Sequence, residues 1–176
     1  MTDEEKMELE ALRAEKHDRE QTERARAALG AAGVSAGFAA LRRAVPTAEI
    51  CIHIINGLPG ETRDDMLATA DAVAALHPNQ VKIHSLHVLR GTTLAAWYTR
   101  GNYAPISLED YVSVTAAQLT RLPPDIVIAR VTGDGDRAAL LAPAWSLRKR
   151  EVLAALDRYL YAHGLWQGCA WHKNCI

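Results

Sequence analysis

The sequence predicts an α/β fold built on parallel strands. Three short runs rich in β-branched and apolar residues, 50–55, 81–89 and 126–131, are separated by segments of helical character. That alternation implies parallel pairing through right-handed crossovers. The runs are nearly continuous in apolar residues, the pattern of strands covered on both faces. Each also ends in a loop holding Gly, Asn, His, Thr or Asp, and parallel α/β folds bind ligands at that carboxyl edge. These observations describe part of an α/β barrel or an open sheet, with a site above the strand ends.

The elements follow in order. Residues 1–26 carry nine acidic and six basic side chains, with Met7, Leu9 and Leu12 almost the only large apolar ones. They predict a solvated helix that adds little core. Gly30-Ala31-Ala32-Gly33 predicts a hinge, and 38–44 a further helical piece. The strand 50–55 gives way to Asn56-Gly57-Leu58-Pro59-Gly60, a loop by its glycines and proline. Thr62 with Asp65 three residues on predicts a capped helix reaching Leu76. The second strand, 81–89, turns at Arg90-Gly91-Thr92 into a short helix over 94–99. Ser107-Leu108-Glu109-Asp110 opens a helix to about Leu122, which Pro123-Pro124 stops. The third strand, 126–131, precedes a last helix. Ser146 is expected to cap it, with Leu153, Leu156 and Leu160 on its apolar stripe.

Composition bounds the function. The 176 residues suit one domain with an appendage, and 49% hydrophobic with 23% charged residues excludes wholesale disorder. A net charge of −1 gives no global electrostatic case for nucleic acid. No apolar run approaches the roughly 18 residues of a membrane span, and the first residues carry no apolar signal core. Three cysteines, Cys51, Cys169 and Cys175, are too few for a disulfide framework. The expected compartment is the cytoplasm.

Four motifs carry candidate chemistry. In Ile54–Thr62, a glycine directly after a strand permits close approach of a ligand to the backbone, or simply makes a strand–loop–helix connection. In Val81–Leu89, strand alternation puts Lys82 and His84 on one side and His87 on the other. Each histidine is either a site residue or a satisfied core residue, and divergence of the pair argues against zinc. In Ala129–Asp136, Arg130 is either a bidentate clamp for a carboxylate or phosphate, or the partner of Asp134 or Asp136. At the end of the chain, His163, Cys169, His172 and Cys175 could gather around zinc, but their spacing matches no usual zinc motif, and the expected reading is a tail without metal.

Taken together, four stretches resemble one family. They are His53–Thr62, Lys82–Thr92, Arg130–Gly135 and Ala142–Ser146, with Leu165–Gly168 fitting as well. In this order and spacing, from about Phe38 to Gly168, they resemble the C-terminal half of the YhcC-like radical S-adenosylmethionine (SAM) proteins. The resemblance implies an incomplete (β/α) partial barrel with about three parallel core strands, preceded by the charged N-terminal helix. The expected division is 1–34 as extension and hinge, 35–168 as barrel and 169–176 as flexible tail. The resemblance places Ile55, Asn56, Gly57, His87 and Val88 beside SAM, and Lys82, His84 and Arg130 on the substrate side. It implies SAM and a [4Fe–4S] cluster for the full-length relatives, which cleave SAM to a 5′-deoxyadenosyl radical that takes a substrate hydrogen.

This sequence departs from the family in several places. The cluster motif, Cys-x3-Cys-x2-Cys or a longer variant, is absent, and Cys51 stands alone on its strand. Ala129 stands where the family usually has histidine, and 1–34 do not resemble it. The expectation is therefore the C-terminal portion of a radical SAM protein, truncated or split, unable to start the reaction alone. The alternative is a non-catalytic α/β docking module or the partner subunit of a split enzyme. Expected partners are a cluster-bearing N-terminal half, or a second copy joined through an exposed strand edge. The substrate, small or macromolecular, stays open.

Overall fold

The structure, a computed structural model, describes Lys6, residues 33–133 and residues 135–171. The charged segment, apart from Lys6, and the hinge residues 30–32 lie outside the described residues, as do Asp134, His172 and Cys175. Gly33, read as the end of the hinge, is helical. The chain forms two compact units, Met1–Ala48 and Glu49–Ile176.

In the first unit, helix α1 occupies 33–44. Arg42 lies 5.4 Å over the Phe38 ring and donates to the Ala48 carbonyl at 2.6 Å, closing the turn that follows the helix.

The second unit holds a sheet of three parallel strands in the order β1 (Cys51–Asn56), β2 (Gln80–Ser85), β4 (Val127–Arg130). This is the α/β architecture that the strand and helix alternation implies. Helix α2 (Arg63–Leu76) connects β1 to β2. Thr62 and Asp65 cap it reciprocally, each side chain accepting from the other's backbone N–H. Helix α3 (Thr93–Thr99) is short and capped by Thr92, while α4 (Leu108–Arg121) starts at Ser107, whose hydroxyl accepts from the Asp110 N–H. Helix α5 (Lys149–Ala162) closes the unit.

One face of the sheet is core. Ile54, Val81 and Ile83 pack there against Val73 and Ala74 of α2, Val112, Ala116 and Leu119 of α4, and Leu156 of α5. On the other face His53, Ile55 and Arg130 are exposed. Side chains along β1 alternate, with His53 and Ile55 exposed and Ile54 and Asn56 buried. The apolar runs therefore do not mean two covered faces, because β-branched residues serve an open face as readily as a buried one.

Three further readings are corrected. Residues 81–89 are not one strand. The pairing with β4 ends at Lys82 and that with β1 at Ser85, and Val88–Leu89 becomes β3, antiparallel to β5 (Leu140–Ala142). The break lets Val88 fill a second apolar cluster with Ala95, Tyr103 and Ala142. Ser146 does not cap α5: it lies in a 3-10 turn, Ala144–Leu147, and donates to the Pro143 carbonyl. On α5 the inward residues are Val152 and Leu156, while Leu153 is exposed. Finally, Cys169–Trp171 are docked rather than trailing. Gly168 and Ala170 donate to the Leu119 and Thr120 carbonyls at 3.1 and 2.9 Å, and Trp171 packs on the core. Residues 172–176 lie outside the described residues.

Candidate functional site

Strand register assembles the site. His53 pairs with Lys82, Ile55 with His84, and Lys82 with Arg130 across the parallel ladder. Side chains alternate along each strand, so residues in register share a face. His53, Ile55, Lys82, His84 and Arg130 accordingly stand together on the open face. A basin of about 400 Å³ lies at its carboxyl end, lined by His53, Ile55, His84, Ser85, Leu86, His87, Arg130 and Gly133. The His53 and His84 rings stack with centroids 5.4 Å apart.

His87 is on this face, not opposite it. The break after Ser85 ends the strict alternation and turns the imidazole back beside His84. Two glycines make the space. A Cβ at Gly133 would lie 2.9 Å from His87 Cε1 and 3.3 Å from His84 Nδ1, and one at Gly135 would lie 2.7 Å from His87 Nδ1. The Gly-rich segment after β4 is thus shaped by the imidazoles it covers.

Both imidazoles are electrostatically unusual. The Nε2 atoms of His84 and His87 are withdrawn from solvent and have no hydrogen-bond partner among the described residues. Burial holds His84 below the ordinary histidine value, and the positive charges of His53, Arg130, His87 and Lys82 lower it further. Burial alone lowers His87.

A second cavity of about 400 Å³ lies beside the loop after β1, lined by Gly57, Glu61, Arg63, Met66, Tyr103 and Asp110 among others. The loop is locked from both sides. Glu61 Oε2 accepts from the Gly57 and Leu58 N–H groups at 2.8 and 2.9 Å, and the Tyr103 hydroxyl donates to the Gly57 carbonyl at 2.7 Å. Gly57 has φ +84, and a Cβ there would stand 3.1 Å from Ile106 Cγ2. Here the close approach that requires glycine is to Ile106. Burial raises the Glu61 carboxyl above its usual value, against the lowering effect of the two N–H groups it accepts.

A match to the Radical SAM C-terminal domain covers residues 78–162. YtqA of Bacillus subtilis is 44% identical over 119 residues, 68% of this chain and 37% of that protein. Protein YhcC of Escherichia coli is 34% identical over 122 residues, 69% of this chain and 39% of its own length. This chain carries a YhcC-like radical SAM C-terminal region. It spans well under half the length of these relatives. The fold agrees: the archaeal Elp3 of Methanocaldococcus infernus, with its N-terminus deleted, superposes with a TM-score of 0.56 at 19% identity, over 73% of this chain and 32% of that one.

Within this radical SAM region, the residues expected beside SAM fall into two groups. Ile55, 44% exposed, and His87 present side chains to the basin. Gly57 lines the neighbouring cavity, while Asn56 and Val88 have fully buried side chains. Asn56 exchanges two hydrogen bonds with Gln118 of α4, at 2.8 and 2.9 Å, and its carbonyl accepts from the Leu86 N–H. It fastens strand to helix. Lys82, His84 and Arg130, expected on the substrate side, do share one face. His53 escaped the sequence reading, although it lies two residues before Ile55 and parity puts it on the same side.

The described residues do not fit an iron–sulfur cluster. Cys51 and Cys169 are free thiols on separate elements, and no three His, Cys, Asp or Glu among the described residues gather to hold a metal. They do fit an adenosyl group, with an apolar wall of Ile55 and Leu86 beside partnerless imidazole nitrogens.

Proposed function

We propose that this region forms one wall of a radical SAM reaction cavity. Ile55 and the Leu86–His87 turn pack on the adenosyl group, while Lys82, His84 and Arg130 face the substrate. The observation that carries the reading is the open sheet face, which ends in a basin at the carboxyl ends of the parallel strands, the place such folds put ligands. When bound beside a reduced cluster, SAM supplies radical chemistry. This chain's own residues bind, orient and exclude water. In this reading the cluster is held elsewhere, in keeping with the scattered thiols of the described residues.

The free edges of β1 and β4 accept further strands, from a cluster-bearing piece or a second copy. No helix among the described residues is long and apolar enough to cross a membrane, and free thiols suit the cytoplasm we assign.

Calorimetric titration with S-adenosylhomocysteine tests the reading. Binding is expected, and Ile55→Asp, which puts a charge on the contact wall, is expected to weaken it at least about tenfold. Unaltered affinity in that variant, or no binding by the parent chain, contradicts the proposal. Anaerobic incubation with iron, sulfide, dithionite and SAM is expected to give no 5′-deoxyadenosine from this chain alone.

A further inference from the structure

The open face holds more positive charge than an adenosyl wall needs. Three strands contribute to it: His53 from β1, Lys82 and His84 from β2, and Arg130 from β4. None of the strand residues sharing this face is acidic. Lys82 makes no ion pair or hydrogen bond with any described residue. The cationic groups around His84 add to burial in pushing that imidazole toward its neutral form, and among the described residues no carboxylate pairs with Lys82. An oxyanion placed among the cationic groups offsets that push and gains charge-assisted hydrogen bonds.

Building on the cavity-wall reading, we propose that Lys82, with His53 and His84 beside it, binds a carboxylate or phosphate group of the substrate. Lys82 lies two residues before His84, about 7 Å deeper along the strand. The anionic group therefore sits below the carboxyl edge, where Ile55 and Leu86 leave room for the adenosyl group above it. Arg130, in register with Lys82, flanks the same depth. The groups facing His84 are His53 from β1, Lys82 on its own strand, Arg130 from β4 and His87 from the following turn. Binding the oxyanion should raise the His84 pKa, and affinity should rise as pH falls through it.

The test follows the histidine Cε1–H signals of the whole chain while inorganic phosphate or malonate is added at constant ionic strength. Saturable shifts of His53 and His84 are expected, with a chloride titration giving none. Lys82→Met should reduce affinity about tenfold without changing the melting temperature. His84→Gln should weaken the pH dependence while leaving measurable binding. A second titration, in saturating S-adenosylhomocysteine, separates the sources of the anion. Unchanged phosphate affinity assigns the pocket to the substrate, whereas mutual exclusion assigns it to the cofactor's own carboxylate and overturns the proposal. Absence of saturable shifts, or equal binding by Lys82→Met, overturns it too. If S-adenosylhomocysteine still binds in those cases, the cavity-wall reading stands without the anion pocket.

Discussion

The two faces of β2 share six residues of backbone and almost nothing else. Val81 and Ile83 are buried in the core with α4, whereas Lys82 and His84 look onto the open side. On the inner face the large side chains pack on apolar neighbours, and the buried polar groups are mostly tied, with the Thr115 hydroxyl of α4 the exception among the described residues. Asn56 and Gln118 satisfy one another, and the Tyr111 hydroxyl donates toward the Ile83 and Val131 carbonyls at 3.3 and 3.0 Å. On the outer face, two imidazole nitrogens have no partner. A fold gains nothing from such groups by themselves. The inner face stabilises the molecule, and the outer face is where we place the ligand.

Substitutions at neighbouring positions should separate these roles. Ile83→Ala, at a fully buried site, should cost about 2–5 kcal/mol in urea unfolding. Lys82→Ala, one residue away, should change stability by no more than about 0.5 kcal/mol. Comparable losses at the two positions would erase the distinction.

Asn56→Ala sharpens it from the polar side. The change leaves Gln118 Oε1 without its donor in the core, while Nε2 keeps the Met66 carbonyl, so a loss of about 1–3 kcal/mol is expected. Pairing it with Gln118→Leu, which removes the orphan, should recover part of that loss.

A smaller effect comes from the outer imidazoles. His84 and His87 have folded values below the ordinary 6.5, so the unfolded chain binds protons first as pH falls. Their contribution to stability is present above about pH 6.5 and is lost as pH falls through the folded values. Melting temperatures measured between pH 8 and 5 should decline over that window. His84→Gln should flatten the decline, and an identical profile would contradict it.

Much of this was legible because it is local. The Thr62–Asp65 capping box, the Pro123-Pro124 stop and the three parallel strands all follow from short-range chemistry. The shared face of Lys82, His84 and Arg130 follows from parity once strands are assigned. What was not legible depends on distant partners. Nothing within residues 81–89 announces that Val88 pairs with Ala142, and that pairing is what breaks the strand and returns His87 to the basin. Ser146 looked like a cap because it precedes a helical stretch, yet the chain makes a 3-10 turn there before α5 begins. Likewise the resemblance placed Asn56 beside SAM without showing that its side chain is exchanged with Gln118 of α4, a contact that only the packing of that helix reveals.

The central claim is that the open face receives the ligand. The most direct test is a map of backbone amide shifts in the whole chain on adding S-adenosylhomocysteine. The account predicts shifts at Ile55, Gly57, Leu86 and His87, with the opposite edge of the sheet, at Asn79 and Asp125, left still. Shifts confined to that opposite edge, or to α2 and α5, would contradict it.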